Sequence, residues 1–408
     1  WAGVLFAGLM MICAIGSGNM PQINNIASVL DSTFSIPKLA TGLILGVMLW
    51  LIIAGGIKRI AKIASKLVPI MAVIYFGGAL VVVVENYQNI IPSLNSIFSQ
   101  VFSGSAAAGG FLGASFAMSL KLGVARGLYS NEAGQGSSPI AHASAKAEHS
   151  VEQGMVSILE PFIDTIVVCS VTALVILSSG AWTQKYENTF ERSSMSIFEG
   201  SYSEENSNDV EELGKYILDA RKFTNNTTSV KEYSGELAIV NGMLPTNDIT
   251  VFHNNSIAED VMFYKSGQPF EGLLEIRDGS IKDSSIKVEG KSLIHSAALT
   301  SKAFASGVLG MWGEYIVAIG LLLFAFSTAI AWSYYGDRST AYIFGEAAVP
   351  WYRMIYVLSF IAAAVIDTTI IWNIAYVVVA LVTIPNLIAL FVLRKEMKEQ
   401  VTNYVMEK

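Results

Sequence analysis

Residues 104–145 read GSAAAGGFLGASFAMSLKLGVARGLYSNEAGQGSSPIAHASA, a polar, glycine-punctuated run set among segments apolar enough to cross a membrane. A helix facing lipid has no use for such composition, because bare backbone in hydrocarbon leaves hydrogen bonds unmade. A helix buried in a bundle and interrupted at a binding site does. Unwound backbone at mid-membrane offers carbonyls and amides to a substrate or ion, and small side chains let that backbone be approached. The stretch therefore points to a transport protein.

The composition of the whole chain agrees. Hydrophobic residues make up 52% of 408 and charged residues 14%, against about 25% charged in ordinary soluble proteins. The apolar runs are helix-length rather than the alternating short segments of an outer-membrane barrel. The chain opens at Trp1 inside an apolar run with no charged leader, so a signal peptide is excluded and further helices are expected upstream. Cys13 and Cys169 both lie in apolar spans and read as packing residues. No metal-type cluster involves the four histidines. A phosphate-binding GxxxxGK[ST] loop is absent from the sequence, so direct ATP drive is not indicated.

Eight membrane segments are expected, near Trp1–Ala27, Leu39–Ile57, Leu67–Val84, Ala106–Ala125, Val151–Leu177, Gly310–Trp332, Trp351–Ile366 and Ile371–Leu393. The first continues through Gly16-Ser17-Gly18-Asn19-Met20-Pro21-Gln22, which brings Asn19 and Gln22 into the membrane. One set of short loops carries thirteen Lys and Arg, among them Lys58, Lys121, Arg126, Arg338 and Arg394. The alternate set carries only Lys38, so the first set and the C-terminus are assigned to the cytoplasm. Residues 183–302 then lie outside, as a small, mostly β inserted domain. Strand-like runs at Glu236–Val240, Ile249–Phe252, Val261–Tyr264, Leu273–Ile276 and Ile286–Val288 are separated by Asn241-Gly242, Ser266-Gly267 and Asp278-Gly279 turns. A helix is expected near Val210–Arg221. Between Gln184 and Lys302 nineteen acidic residues face twelve basic ones, which accounts for the chain's whole net charge of −7. The expected organisation is a bundle over 1–182, the insert over 183–302, a second bundle segment over 303–397 and a cytoplasmic tail over 398–408.

Four motifs carry chemistry, each with a plainer alternative. Gly109-Gly110-Phe111 is either a glycine pair easing helix packing or a helix break with Phe111 closing over a small substrate. Ser327-Thr328, in an apolar span, either bond back to their own helix or offer oxygen to sodium, a hard cation. Glu160 and Asp164 lie one turn apart in a membrane span; Glu160 reads as a gate or a helix cap, and Asp164, the deeper and better candidate for function, reads equally as pairing with a neighbouring helix's backbone or hydroxyl. The string from Arg126 to His142 reads as an inner gate, with Asn131 in it and Arg126 and Glu132 available to pair.

That last string, GVARGLYSNEAGQGSSPIAHASA, with HSVEQG and FIDTIVVCSVTALVILSSG after it, closely resembles the alanine/glycine:cation symporter family. GNMPQIN, GGIKRIAKIASKLVPIMAVIY, LFAFSTAIAWSYYGDR and IPNLIALFVL extend the resemblance over about residues 1–182 and 297–397. It implies an all-α polytopic bundle of LeuT type, built from two inverted repeats with a broken first helix in each. Its first two core helices would be absent from this chain, and the insert would lie outside the family pattern. The resemblance further implies substrate contacts from Asn19, Gln22, Gly109, Gly110 and Phe111. It gives Ser327 and Thr328 a partial sodium site, and leaves the role of Asp164 open.

The expected function is sodium-coupled import of a small neutral amino acid, alanine or glycine, across a bacterial inner membrane. Na⁺ is the coupling ion, there is no other cofactor, lipid is the surrounding partner, and nucleic acid is not involved. The partner of the insert is left open. The competing reading is a membrane sensor whose acidic ectodomain binds a ligand. An enzyme is disfavoured, because no nucleophile, base and orienting group converge in the sequence.

Overall fold

A computed structural model of the chain describes residues 1–103, 107–108, 111–112, 116–132, 134–220, 229–245 and 248–407. The protein is mostly helical and divides into two compact units. Unit 1 comprises Trp1–Val82, Val124–Ala173 and Val308–Lys408, and unit 2 comprises Val83–Gly123 and Leu174–Gly307.

The helices are α1 Ala2–Gly16, α2 Met20–Phe34, α3 Lys38–Ile53, α4 Gly56–Glu85, α5 Ile90–Ser103, α6 Phe116–Ser130, α7 Ser138–His142, α8 Ser150–Ser157, α9 Leu159–Pro161, α10 Ser170–Ser179, α11 Ser207–Ala220, α12 Ser296–Ala305, α13 Met311–Phe344, α14 Val349–Ala363 and α15 Thr368–Glu407. Among the described residues five helical stretches are long and apolar enough to cross a membrane: Ala2–Phe34, Gly56–Glu85, Ser150–Ser179, Met311–Phe344 and Thr368–Met406. Lys38–Ile53 is apolar but shorter. This is a multi-pass membrane protein. Five of the eight expected spans fall in these stretches, Leu39–Ile57 falls on the shorter Lys38–Ile53, and Ala106–Ala125 and Trp351–Ile366 have no counterpart among them. Three details also differ. Of the stretch expected as a helix from Ala106, Ala107–Ala108 and Phe111–Leu112 are strands and the helix described spans Phe116–Ser130. The last helix runs on to Glu407, so the expected tail at 398–408 is a continuation of α15 as far as it is described. The third departure is at the first span, which is interrupted by a turn over Ser17–Asn19.

The centre of unit 1 is packed by α1, α2, α13, α14 and α15, around Met10, Ile23, Phe326, Trp332, Tyr356, Phe360 and Val382. Polar side chains in this core bond backbone across helices. Asn24 donates to the carbonyls of Ala363 (2.9 Å) and Ile366 (2.7 Å). Tyr352 reaches Met11 O (2.9 Å), and Tyr356 reaches Ala329 O (2.8 Å). Each such bond meets a hydroxyl or amide hydrogen that would be costly to leave unpaired away from water.

In unit 2 the insert folds as three antiparallel sheets. The strands are β3 Tyr186–Thr189, β4 Met195–Glu199, β5 Gly235–Ile239, β6 Ile249–His253, β7 Ser256–Ile257, β8 Glu259–Lys265, β9 Gln268–Pro269, β10 Gly272–Arg277, β11 Ser280–Ile281 and β12 Ile286–Ser292, after a short pair β1 Ala107–Ala108 and β2 Phe111–Leu112. Their orders are β11-β10-β5, β3-β12-β8-β9 and β4-β6-β7. All five expected strands are present, and so is the helix near Val210, as α11. The three predicted turns have positive φ at both central residues: Asn241 and Gly242 (51° and 78°), Ser266 and Gly267 (52° and 79°), and Asp278 and Gly279 (46° and 67°). That conformation matches the right-handed twist of the strands on either side. Residues of β12 alternate buried and exposed, so one face fills the core with Phe263, Ile197 and Leu274. The strands β3 and β4 lack a comparably long alternating apolar run, which is why they were not expected.

His253 is the buried polar centre of this domain. Its Nδ1 lies 2.8 Å from Ser292 Oγ, its Nε2 accepts the Glu191 N–H at 3.1 Å, and its ring stacks on Phe190 at 4.3 Å. Burial, with a smaller push from His295, lowers its pKa from 6.5 to about 3. The folded imidazole therefore stays neutral where the unfolded one takes a proton. The stability it supports is present above pH 6.5 and is lost as pH falls toward 3, at about 1.4 kcal/mol per unit. Acidification from pH 7 to 5 is expected to destabilise the domain by about 2 kcal/mol, read as faster amide exchange in β6 and β12. His253→Gln should flatten that pH dependence.

Candidate functional site

The break in this protein lies at Asn131–Ser137, between α6 and α7. Three of its residues take left-handed backbone: Glu132 (φ 49°), Gly134 (φ 71°) and Gly136 (φ 76°). A right-handed helix cannot run through three such positions, and two glycines make the conformation cheap. The string read as an inner gate thus runs from the end of α6 through this turn into α7. Of the expected break, Gly109 and Gly110 lie outside the described residues. Phe111 falls in β2, whose Leu112 is buried in unit 2 and exchanges backbone and side-chain bonds with Asn255 (2.7 and 3.0 Å).

The position of the break is set by α15. Arg126 stacks on Trp372, and Asn386 Nδ2 donates to Gly134 O at 2.8 Å. The fourteen residues from Trp372 to Asn386 rise about 21 Å, and Arg394, where the apolar part of α15 ends, lies about 12 Å beyond. The break is therefore inside the apolar depth of α15. Arg126 packs against the end of that helix remote from Arg394, whereas the loop charges of the sequence put the two on one side.

Side chains at the edges of the break bond side chains of a neighbouring helix. Ser130 donates to Asp164, Thr165 donates to Asn131 Oδ1 at 2.6 Å, and Ser138 donates to Glu160 Oε2 at 3.0 Å. These pairs stitch both edges of the break to Glu160–Thr165, where the partner helix widens into a π-helical stretch over Phe162–Cys169. Single π-turns of this kind often mark functional positions. Within the break, Ser137 Oγ donates to Glu132 Oε2 at 2.5 Å. The expected pairing of Arg126 with Glu132 does not occur, because the guanidinium is drawn onto an aromatic face and the carboxylate takes the nearest hydroxyl. Gln135 is fully buried, with Nε2 bonded to Leu128 O (3.0 Å) and Oε1 without a hydrogen-bond partner among the described residues.

A second interruption faces the first. Tyr129 donates from its hydroxyl to Ser17 O at 2.8 Å and accepts from Gln22 Nε2 at 3.4 Å. Gln22 thus joins the turn over Ser17–Asn19 to the end of α6. Asn19 points elsewhere: its amide donates to Tyr356 O (2.7 Å) and Ser359 Oγ (3.1 Å), and its buried Oδ1 is without a partner among the described residues. Ser327 and Thr328 both donate to Phe324 O, at 2.8 and 3.0 Å. Each hydroxyl oxygen keeps its lone pairs, so the local bond and cation ligation are compatible. Tyr129, Gln135, Trp332 and Trp372 were not singled out from the sequence. Each is an ordinary core residue by type, and only packing gives it a place at the break.

Several helices long and apolar enough to cross a membrane, with polar side chains bonded between them, are what a transporter needs. The chain belongs to the sodium:alanine symporter family, whose match covers residues 1–207 and 282–408; members of that family are transporters. It is 31% identical to an uncharacterized transporter of Haemophilus influenzae over 99% of this chain and 65% of that protein. It is 30% identical to the sodium/alanine symporter AgcS of Methanococcus maripaludis, over 96% of this chain and 62% of the relative. Over 45% of this chain and 37% of the relative it is 40% identical to a Bacillus subtilis protein described as "Probable sodium/glutamine symporter GlnT". The chain thus spans less than two thirds of the length of these relatives. The residues between 207 and 282 that the family leaves unmatched belong to the insert.

Gly18 lets the turn over Ser17–Asn19 pack closely on Trp332 of α13. A Cβ there would lie 2.2 Å from the Trp332 ring, and nothing lies within 4 Å of one at Gly77. Gly18→Ala is expected to lower stability by about 1–3 kcal/mol, read as a drop in Tm of the purified protein. Gly77→Ala, in the interior of α4, should be neutral or slightly stabilising.

Proposed function

We propose that this chain forms the core of a sodium-coupled importer of small neutral amino acids, alanine or glycine, working by alternating access. The observation that carries this reading is the helix broken at Asn131–Ser137 within the apolar depth of α15, beside a second interruption at Ser17–Asn19, in a member of the sodium:alanine symporter family. Unwound backbone and the amide of Gln22 would bind the polar head of an amino acid, and the tightly packed aromatics around it leave room for a small side chain. Asn131 and Asp164, tied to the break's edges, would move with it during the cycle. The fold proposed is of LeuT type, with residues 1–182 and 303–397 as bundle and 183–302 as an extracytoplasmic insert. The membrane proposed is the bacterial inner membrane, with the end of α15 that carries Arg394 and Lys395 in the cytoplasm.

Sodium would be held in part by Ser327 and Thr328. An inward gradient and membrane potential supply the drive, about 2.3 kcal/mol per charge at 100 mV. Uptake of labelled alanine into proteoliposomes tests the function: it should require an inward sodium gradient and should not be restored by a proton gradient alone. In the double variant Ser327→Ala, Thr328→Ala, half-saturating sodium should rise by on the order of tenfold while Tm changes little. Unchanged sodium dependence would leave those hydroxyls as helix-bonding groups only.

A further inference from the structure

Arg126 stands apart from every other feature of the bundle. It lies on α6, one turn before Tyr129, and its side chain is exposed. Its guanidinium carbon sits 3.8 Å from the centroid of the Trp372 ring and 5.7 Å from that of Tyr376. Among the described residues no carboxylate lies within ion-pair distance of it. Trp372 also presents an unused donor: its Nε1–H is buried without a hydrogen-bond partner among the described residues. Tyr129 meets the Trp372 ring edge-on at 5.1 Å and carries the bond from Gln22. A guanidinium over an aromatic face keeps its N–H groups available, and their planar fork can match a carboxylate two to two. A permanent cation in a membrane bundle is costly unless it meets an anion. None is supplied here by the neighbouring helices.

We propose that Arg126, propped on Trp372, binds the α-carboxylate of the transported amino acid as it approaches the break. The inference rests on the amino-acid symport reading above and adds to it the group that recognises the substrate's head. A head-group reader also suits the family, since relatives named for alanine and for glutamine share the α-carboxylate and differ in side chain. The carboxylate would neutralise the guanidinium outside the break. Tyr129 and Gln22, one turn further in, would then be the next polar groups the substrate meets.

The test is ligand-induced thermal stabilisation of the purified complete protein in saturating sodium, comparing L-alanine with L-alaninamide, which lacks the carboxylate. Wild type should be stabilised by alanine and not by the amide. Arg126→Gln should raise the alanine concentration needed for half the shift by about 10- to 100-fold, the range for a lost charged hydrogen-bonding partner. In that variant acid and amide should become equivalent. Arg126→Lys should recover part of the preference, and Trp372→Phe should keep it while weakening affinity. Unchanged alanine affinity in Arg126→Gln, or a parallel loss of acid and amide binding, would overturn the proposal. Should Arg126→Gln not fold, the Arg126→Lys and Trp372→Phe variants decide it, and an unaltered acid preference at unaltered affinity in both overturns it. Binding is measured here without flux, so absence of sodium-driven uptake would refute the symport reading separately.

Discussion

Backbone polarity in an apolar surrounding is the constraint on which the rest of this structure depends. Between α6 and α7 the left-handed residues Glu132, Gly134 and Gly136 interrupt helical hydrogen bonding beside the apolar helix α15, and each freed group needs a protein partner or a ligand. The neighbours are arranged accordingly. Asn386 takes the Gly134 carbonyl, Gln135 takes that of Leu128, and serines and a threonine at 130, 138 and 165 join the edges of the break to the adjacent helix. Most of these bonds are side chain to backbone or side chain to side chain. They can therefore be exchanged for bonds to a substrate without unravelling the helices on either side, which is the property alternating access requires.

The same economy holds in the core of unit 1. Tyr352, Tyr356, Asn19 and Asn24 lie at helix contacts and each spends its donor on a carbonyl of another helix. With lipid as solvent the hydrophobic effect does little to press helices together, so close packing and such bonds hold the bundle. Gly18 under Trp332 and Gly42 against Ala364 and the Ile361 carbonyl let helix backbones approach. Asp337 and Arg353 form the bundle's buried ion pair, with two guanidinium nitrogens on one carboxylate oxygen at 3.0 and 2.7 Å. Removing either partner would strand a charge, so the pair fixes how α13 meets α14.

Unit 2 obeys different rules. Its sheets are stabilised by alternating apolar faces and tight turns, and its charges sit outward in pairs such as Lys265 with Asp283 and Lys291 with Asp260. Such exposed pairs contribute little each; the domain depends on the Phe263, Ile197 and Leu274 core and on a neutral, fully bonded His253.

The sequence by itself determined whatever is local. Helix-length apolar runs marked five stretches that are long and apolar enough to cross a membrane, and Asn-Gly, Ser-Gly and Asp-Gly dipeptides located tight turns, because positive φ is a property of two residues and needs no distant contact. The family strings identified the class, and the Ser327-Thr328 pair could be named as a candidate. Tertiary structure decided the rest. Glycine content drew attention to residues 109–110, yet the unwinding described lies some twenty residues later. Gly134 and Gly136 are no richer in glycine than their surroundings, and only Asn386, Thr165 and Ser138 from elsewhere in the chain make a break there affordable. Arg126 and Glu132 look like partners by charge and spacing. They separate because one finds Trp372 and the other Ser137, and the first of those contacts spans 246 residues of sequence. Long-range pairing of that kind follows from how helices pack, and packing is not written in any local pattern.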